Sequence, residues 1–62
     1  MSANPNLITQ YKEAFSKAYP QKHVEVHYVG KYDRYKVGID GDFGGLMLDE
    51  VQMARAISGF LA

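Results

Sequence analysis

The sequence contains no cysteine. Disulfide bonds, thiolate metal sites and cysteine nucleophiles are therefore excluded, and the chain suits a reducing compartment. Long apolar runs are also missing, because the longest stretches, 46–48 and 57–62, fall far short of the roughly 20 residues of a membrane span. The N-terminus lacks the basic and then apolar pattern of a signal peptide. We expect a soluble, cytoplasmic protein that does not associate with membranes.

The chain is short and carries no excess of either charge. It has 62 residues, so one hydrophobic core is expected and a second domain is not. Seven basic and seven acidic residues balance, but they are separated along the chain. Residues 1–36 hold six basic and three acidic side chains, whereas residues 37–62 hold one and four. Opposed patches of this kind either steer a partner or neutralise each other within the fold.

The first third of the chain has the spacing of an amphipathic helix. Asn4 is a typical N-cap residue and Pro5 suits the first helical position, so the helix is expected to begin there. Apolar residues at intervals of three and four would line one face: Leu7, Ile8, Tyr11, Ala14, Phe15, Ala18 and Tyr19. Pro20 disfavours helical geometry in the preceding residue, so we predict a helix over 5–19 after a flexible segment 1–4.

In the middle of the chain the apolar period changes to two, which is typical of β-strands. The alternation predicts strands over 22–29 and 34–39, joined by a turn centred on Lys31 and Tyr32. In this register the apolar residues pair on one face, Tyr28 with Tyr35, Val26 with Val37 and Val24 with Ile39. We therefore expect an antiparallel hairpin with one apolar face.

A glycine-rich loop and a second helix complete the predicted architecture. Three glycines within 40–45 indicate turns in a loop over 40–48, in which 46–48 has the composition of a short third strand. Two acidic residues at its start favour a helix over 49–61. The apolar arc of this helix is wider than one contact with a sheet requires. The fold class is α+β, an α-β-β-α arrangement with both helices packed on the hairpin, and part of the arc is left for a partner.

The sequence shows no catalytic arrangement. Four non-tyrosine hydroxyls occur, and none has a histidine and an acid at recognisable spacing: Ser2, Thr9, Ser16 and Ser58. Nucleotide-binding signatures are also missing, since no G-x-G-x-x-G follows Ile39 and no Gly-Lys-Ser/Thr occurs. We expect neither enzyme activity nor a cofactor.

Alternating histidines give the first predicted strand a weak resemblance to a metal site. His23, Glu25 and His27 share its polar face, where consecutive side chains lie roughly 6.5 to 7 Å apart, so one histidine and Glu25 are able to share an ion. The two histidines are too far apart to do so together, and further ligands would have to come from Asp40 or the opposite strand. A solvated strand face is the better interpretation.

The acidic loop begins like a calcium-binding loop. Residues 40–47 place acids at the first and third positions, glycine at the sixth and an apolar residue at the eighth. Gly44 and Val51 then occupy positions that require oxygen ligands, and a strand rather than a helix leads into the loop. An acidic turn without a metal ion is therefore expected.

Basic and aromatic residues cluster at the tip of the predicted hairpin: Lys31, Tyr32, Arg34 and Lys36. Stacking of bases on aromatic rings beside basic groups is a common mode of single-strand binding. The zero net charge argues against this function, and the predicted register places Tyr28 and Tyr35 in the core. Nucleic-acid binding through this cluster is the alternative interpretation.

Most of the chain resembles small proteins encoded by phages and prophages. The segments that carry this resemblance are LITQYKEAF at 7–15, RYKV at 34–37 and LDEV at 48–51, and none of them is a diagnostic motif. Proteins of this class often bind and inhibit a host protein, such as a CRISPR effector, a restriction or other defence component, or the transcription machinery. The resemblance implies a protein partner in the host cytoplasm and assigns a role to no single residue.

Together these observations predict a non-enzymatic protein-binding module, with homodimerisation as a second way to cover apolar surface. Outward and turn residues that present charge or aromatic area are the expected contacts: Tyr32, Arg34, Lys36, Asp40, Asp42 and Phe43.

Overall fold

A computed structural model describes residues 3–62 of the chain. The elements in chain order are α1 (Pro5–Ala18), β1 (Val24–Val29), β2 (Arg34–Ile39), β3 (Met47–Leu48) and α2 (Glu50–Leu61). The three strands form an antiparallel sheet in the order β1-β2-β3. The predicted α+β fold is therefore confirmed, including the short third strand.

The register of the hairpin is the one that the apolar pattern predicts. Val24 lies opposite Ile39, Val26 opposite Val37 and Tyr28 opposite Tyr35. At the tip, the Tyr32 N–H donates to the Val29 carbonyl, and Asp33 adopts a left-handed φ of 51°. β1 begins two residues later than predicted, at Val24. With the exception of Val29, which lies on the opposite face, the paired apolar residues of the hairpin thus lie on one side of the sheet.

Both helices pack on that side and enclose one core. The buried apolar side chains come from both helices and two strands: Tyr11, Phe15, Val24, Tyr35, Val37 and Met53. Met53 and Tyr35 have no exposed surface, so they lie at the centre of the layer between the helices and the sheet. The opposite face of the sheet receives neither helix.

The helix ends follow local hydrogen bonding. The Asn4 side chain accepts from the Leu7 N–H, and Asp49 forms a reciprocal capping box with Gln52. Asp49 is therefore a cap, and α2 begins one residue later than predicted. Tyr19 leaves helical geometry ahead of Pro20, which ends α1 one residue earlier. Of the predicted flexible segment, residues 1 and 2 lie outside the described residues, whereas Ala3 packs against the core.

The Tyr35 hydroxyl joins the N-termini of the two helices. It accepts a hydrogen bond from the Asn4 N–H at 2.8 Å and donates one to Glu50 Oε2 at 3.0 Å. At the other end, the Phe60 ring of α2 lies 5.4 Å from the Phe15 ring and 6.1 Å from the Tyr19 ring of α1. The helices therefore run in the same direction over the sheet, and one buried tyrosine fixes where both begin.

Replacement of Tyr35 by phenylalanine is expected to lower the free energy of unfolding by about 1–2 kcal/mol, because the Asn4 N–H and the Glu50 carboxylate lose their common partner. Tyr32→Phe is the matched control, since this tyrosine is 56% exposed, and its effect should stay within about 0.5 kcal/mol. Urea denaturation of the two variants measures the difference. Equal stabilities would show that the hydroxyl bridge contributes nothing.

Candidate interaction surface

The face of the sheet opposite the helices presents a mixed basic and aromatic surface. We call it the open face and define it by His27, Arg34, Lys36, Phe43 and Met47; Glu25 and Val29 of β1 lie on the same side of the sheet. Lys36 lies opposite His27 on β1 and opposite Met47 on β3, so these three side chains form a row across the sheet. Arg34 is two residues from Lys36 on β2 and shares its face.

Phe43 reaches the open face from the loop after β2 and packs on Gly38. A Cβ atom placed on Gly38 would lie only 2.3 Å from Phe43 Cε2, so the ring occupies the space of a side chain that this residue lacks. The ring is 5.4 Å from the His27 ring, and the Lys36 ammonium lies 5.6 Å from its centre. The sheet therefore holds a half-buried aromatic ring beside a cation.

The two cations of the open face are not neutralised locally. Arg34 and Lys36 are both exposed, and neither forms an ion pair with a carboxylate of the described residues. The Arg34 guanidinium donates to the Tyr32 carbonyl at 3.4 Å, which turns it toward the hairpin tip. A shallow hollow of about 310 Å³ is lined by Tyr32, Arg34 and Met47. The arrangement offers positive charge, apolar area and a depression on one surface.

Asp40 and Asp42 lie at the other end of the hairpin and stabilise a turn. Asp40 and Gly41 both have positive φ, 54° and 83°, as a two-residue hairpin turn requires. Asp40 Oδ1 accepts from the His23 N–H at 2.9 Å, and Asp42 Oδ1 accepts from the Gly44 N–H at 3.0 Å. Asp42 therefore holds the backbone of its own loop, whereas Asp40 ties the turn to the residue that precedes β1. Within residues 3–62, no three His, Asp or Glu side chains are grouped to hold a metal ion.

The structure brings together only part of the predicted contact set. Arg34, Lys36 and Phe43 share the open face, and Tyr32 borders it at the tip. Asp40 and Asp42 are exposed but separate from this surface. Two residues that complete the open face, His27 and Met47, were not among the predicted contacts. A signal for His27 was present in the predicted register, which places it opposite Lys36. Gly38 also marked a close approach by another group, without showing which group it is.

A hydrogen-bonded tyrosine and aspartate stiffen the hairpin tip beside the open face. The Tyr28 hydroxyl donates to Asp33 Oδ1 at 2.6 Å. This bond and the nearby negative charge raise the pKa of Tyr28 to about 12, because loss of the phenolic proton would place two anions in contact. The contact bridges the end of β1 and the left-handed residue that precedes β2.

Comparison of the chain with protein-family models, curated proteins and solved structures finds no match. No described helix has the length and apolar character to cross a bilayer. Functional inference for this chain therefore depends on the geometry of its own residues.

Gly38→Ala should displace the Phe43 ring, because the added methyl group would overlap it. We expect the ring-current shifts on His27 to diminish in the NMR spectrum. In a Phe43→Ala background, the same substitution meets no ring and should become neutral or stabilising by up to about 1 kcal/mol. A double-mutant cycle that shows no coupling between positions 38 and 43 would contradict this packing.

Tyr28 should titrate near pH 12 in the folded protein, above the ordinary value of 10.0. Because the folded pKa is the raised one, its stabilising effect is complete below pH 10 and is lost as the pH rises toward 12. Asp33→Asn removes the anionic acceptor and should return the pKa toward the ordinary value. Tyrosinate absorbance follows both proteins, and an unchanged titration in the variant would rule out this contact.

Proposed function

We propose that this chain is a non-enzymatic protein-binding module that uses the open face to bind an acidic surface of a partner protein. The observation that supports this most directly is the position of Arg34 and Lys36. Both project from the central strand, on the side without helices, with no carboxylate partner among the described residues. An acidic partner would supply the counter-charges that the chain itself does not provide.

The residue types of the open face suit a protein interface. Aromatic residues, methionine and arginine are enriched at the centres of such interfaces, and arginine and tyrosine are frequent sites of high binding energy. Arg34, Met47 and Tyr32 already surround a shallow hollow that an apolar side chain would fill. Phe43 is held against Gly38 before any partner arrives, so less side-chain entropy is lost on binding.

The resemblance to small phage and prophage proteins supports a bacterial host protein as the partner. We propose that the chain acts by occupying a functional surface of a host protein, as an accessory protein that inhibits a defence system or another host process would do. This mode of action needs a rigid contact surface and no catalytic group, which agrees with the sequence analysis.

Single-stranded nucleic acid is the second candidate ligand, and one specific observation favours it. The open face adds Phe43 to Tyr32 as an aromatic surface, and Lys36 and Lys31 lie 5.6 and 5.4 Å from the centres of these two rings. Rings beside cations on a sheet are able to stack bases while the cations contact phosphates. Binding of this kind would weaken steeply as salt rises.

Combined charge reversal at Arg34 and Lys36 to glutamate is expected to weaken partner capture at least tenfold, because two attractive contacts become repulsive. The measurement is affinity capture from bacterial lysate with mass spectrometry, followed by titration of the purified partner. Thermal stability should be unchanged, since both side chains are exposed and make no ion pair within residues 3–62.

Lys12→Glu with Lys17→Glu gives a matched control, because it changes the net charge equally on exposed positions of α1. Capture should survive in this variant. Equal loss of partner capture in both variants would contradict a specific role for the open face. Unfolding of the Arg34 and Lys36 variant would show that these residues have a structural role instead. Binding of single-stranded DNA by the unmodified chain, weakened by salt, would favour the second candidate.

A further inference from the structure

β1 lies at the edge of the sheet and is well suited to pair with another strand. β2 is its only strand partner in the described part of the chain. The strand runs VEVHYV, with three β-branched valines and neither proline nor lysine among its six residues. Proline, charged side chains such as lysine, and bulges are the devices by which natural edges avoid pairing, and Glu25 is the only Asp, Glu, Lys or Arg of this strand, so the edge has little protection.

The hydrogen bonding of β2 shows which backbone groups of β1 face outward. The Val37 N–H donates to the Leu46 carbonyl on the β3 side, so the even-numbered residues of β2 bond toward β1. Lys36 and Gly38 lie opposite His27 and Glu25, which therefore take part in the ladder. The backbone N–H and C=O of Val26, between them, point away from β2 to the outer edge.

We propose that two copies of this chain associate through antiparallel pairing of their β1 strands, with the two-fold axis at Val26. In this arrangement Val26 of one copy exchanges two backbone hydrogen bonds with Val26 of the second copy. Its side chain is half-buried on the helix side, so the pair would cover apolar surface there. On the other face, Glu25 of each copy lies opposite His27 of the second copy.

Charge complementarity selects this register from its neighbours. An axis at Glu25 would place two glutamates opposite each other, and an axis at His27 would pair two histidines and leave Glu25 opposite Val29. Of these three axes, only the one at Val26 pairs each carboxylate with an imidazole, which is able to donate a hydrogen bond to it. An axis at Val24 would pair Glu25 with His23, but His23 lies outside β1, so fewer strand residues would pair. Side chains of unlike charge that lie directly across from each other on neighbouring strands stabilise a sheet, whereas like charges in these positions destabilise it. A strand that is complementary to itself favours a second copy over an unrelated segment.

The association would join two three-stranded sheets into one of six strands. Both open faces would then lie on the same side of the continuous sheet, since antiparallel strands paired about a two-fold axis keep their faces aligned. This dimer is independent of the proposed partner, and it would double the number of open faces on one particle. A bivalent particle binds a multivalent partner more tightly than a single site does.

Sedimentation equilibrium and amide hydrogen exchange, both over a range of protein concentrations, test the proposal on the complete chain. We expect a concentration-dependent dimer mass and slower exchange of the Val26 amide as concentration rises. The amides of Glu25 and His27 should be protected at every concentration, because they face β2. A chain that remains monomeric, or a Val26 amide whose exchange does not change with concentration, would overturn the proposal.

A charge-swap pair identifies the interface. Glu25→Arg should raise the dimer dissociation constant roughly tenfold by removing both carboxylates that face His27. Glu25→His combined with His27→Glu exchanges the two groups and should restore dimerisation. Glu13→Arg, on the exposed surface of α1, makes the same charge change elsewhere and should have no effect. A dimer that responds equally to both arginine variants, or does not respond to Glu25→Arg, would overturn pairing through β1.

Discussion

Burial of Tyr35 is the constraint on which the rest of the structure depends. Its ring lies with no exposed surface between the sheet and both helices, and its hydroxyl is bonded to Asn4 and Glu50. A phenol in that position would be costly without partners, so both helix N-termini must converge on it. This convergence sets the helices side by side on one face of a small sheet. The open face is a direct consequence, because no third helix is present in the described residues to cover it.

Gly38 and Phe43 show how the fold prepares the uncovered side. The glycine removes one side chain from the central strand, and the loop returns an aromatic ring to the same space. That return depends on the turn at Asp40 and Gly41, whose left-handed backbone brings the chain back across the end of β2. Both aspartates of this loop accept backbone hydrogen bonds, Asp40 from His23 and Asp42 from Gly44, and so hold the loop from which Phe43 reaches the open face.

Much of the fold could be predicted because burial and local rules agree. A slip of one residue in the hairpin would have turned the apolar side chains of one strand, such as Val26, to the face opposite Tyr35, so the alternating pattern specified the register. The local signals at the helix termini predicted the ends of α1 and α2 to within one residue of their observed positions. The place of Phe43 could not be predicted in the same way, since it depends on the path of a short loop rather than on periodicity. Asp40 and Asp42 were predicted as contact residues because the sequence does not show that their carboxylate oxygens accept hydrogen bonds from backbone N–H groups.

The net charge of zero conceals the basic character of the open face. Five of the seven acidic residues hold hydrogen bonds at other places in the fold: Asp33, Asp40, Asp42, Asp49 and Glu50. Each fixes a turn, a helix cap or a buried hydroxyl, and none forms an ion pair with Arg34 or Lys36. A partner that approaches the sheet would experience the local electrostatic field of these two cations. Screening by salt weakens the opposing field of the carboxylates that lie elsewhere in the fold. The zero sum therefore does not weigh against an acidic ligand, because five acids serve the fold and Glu25, the acid on the open side of the sheet, forms no ion pair with either cation.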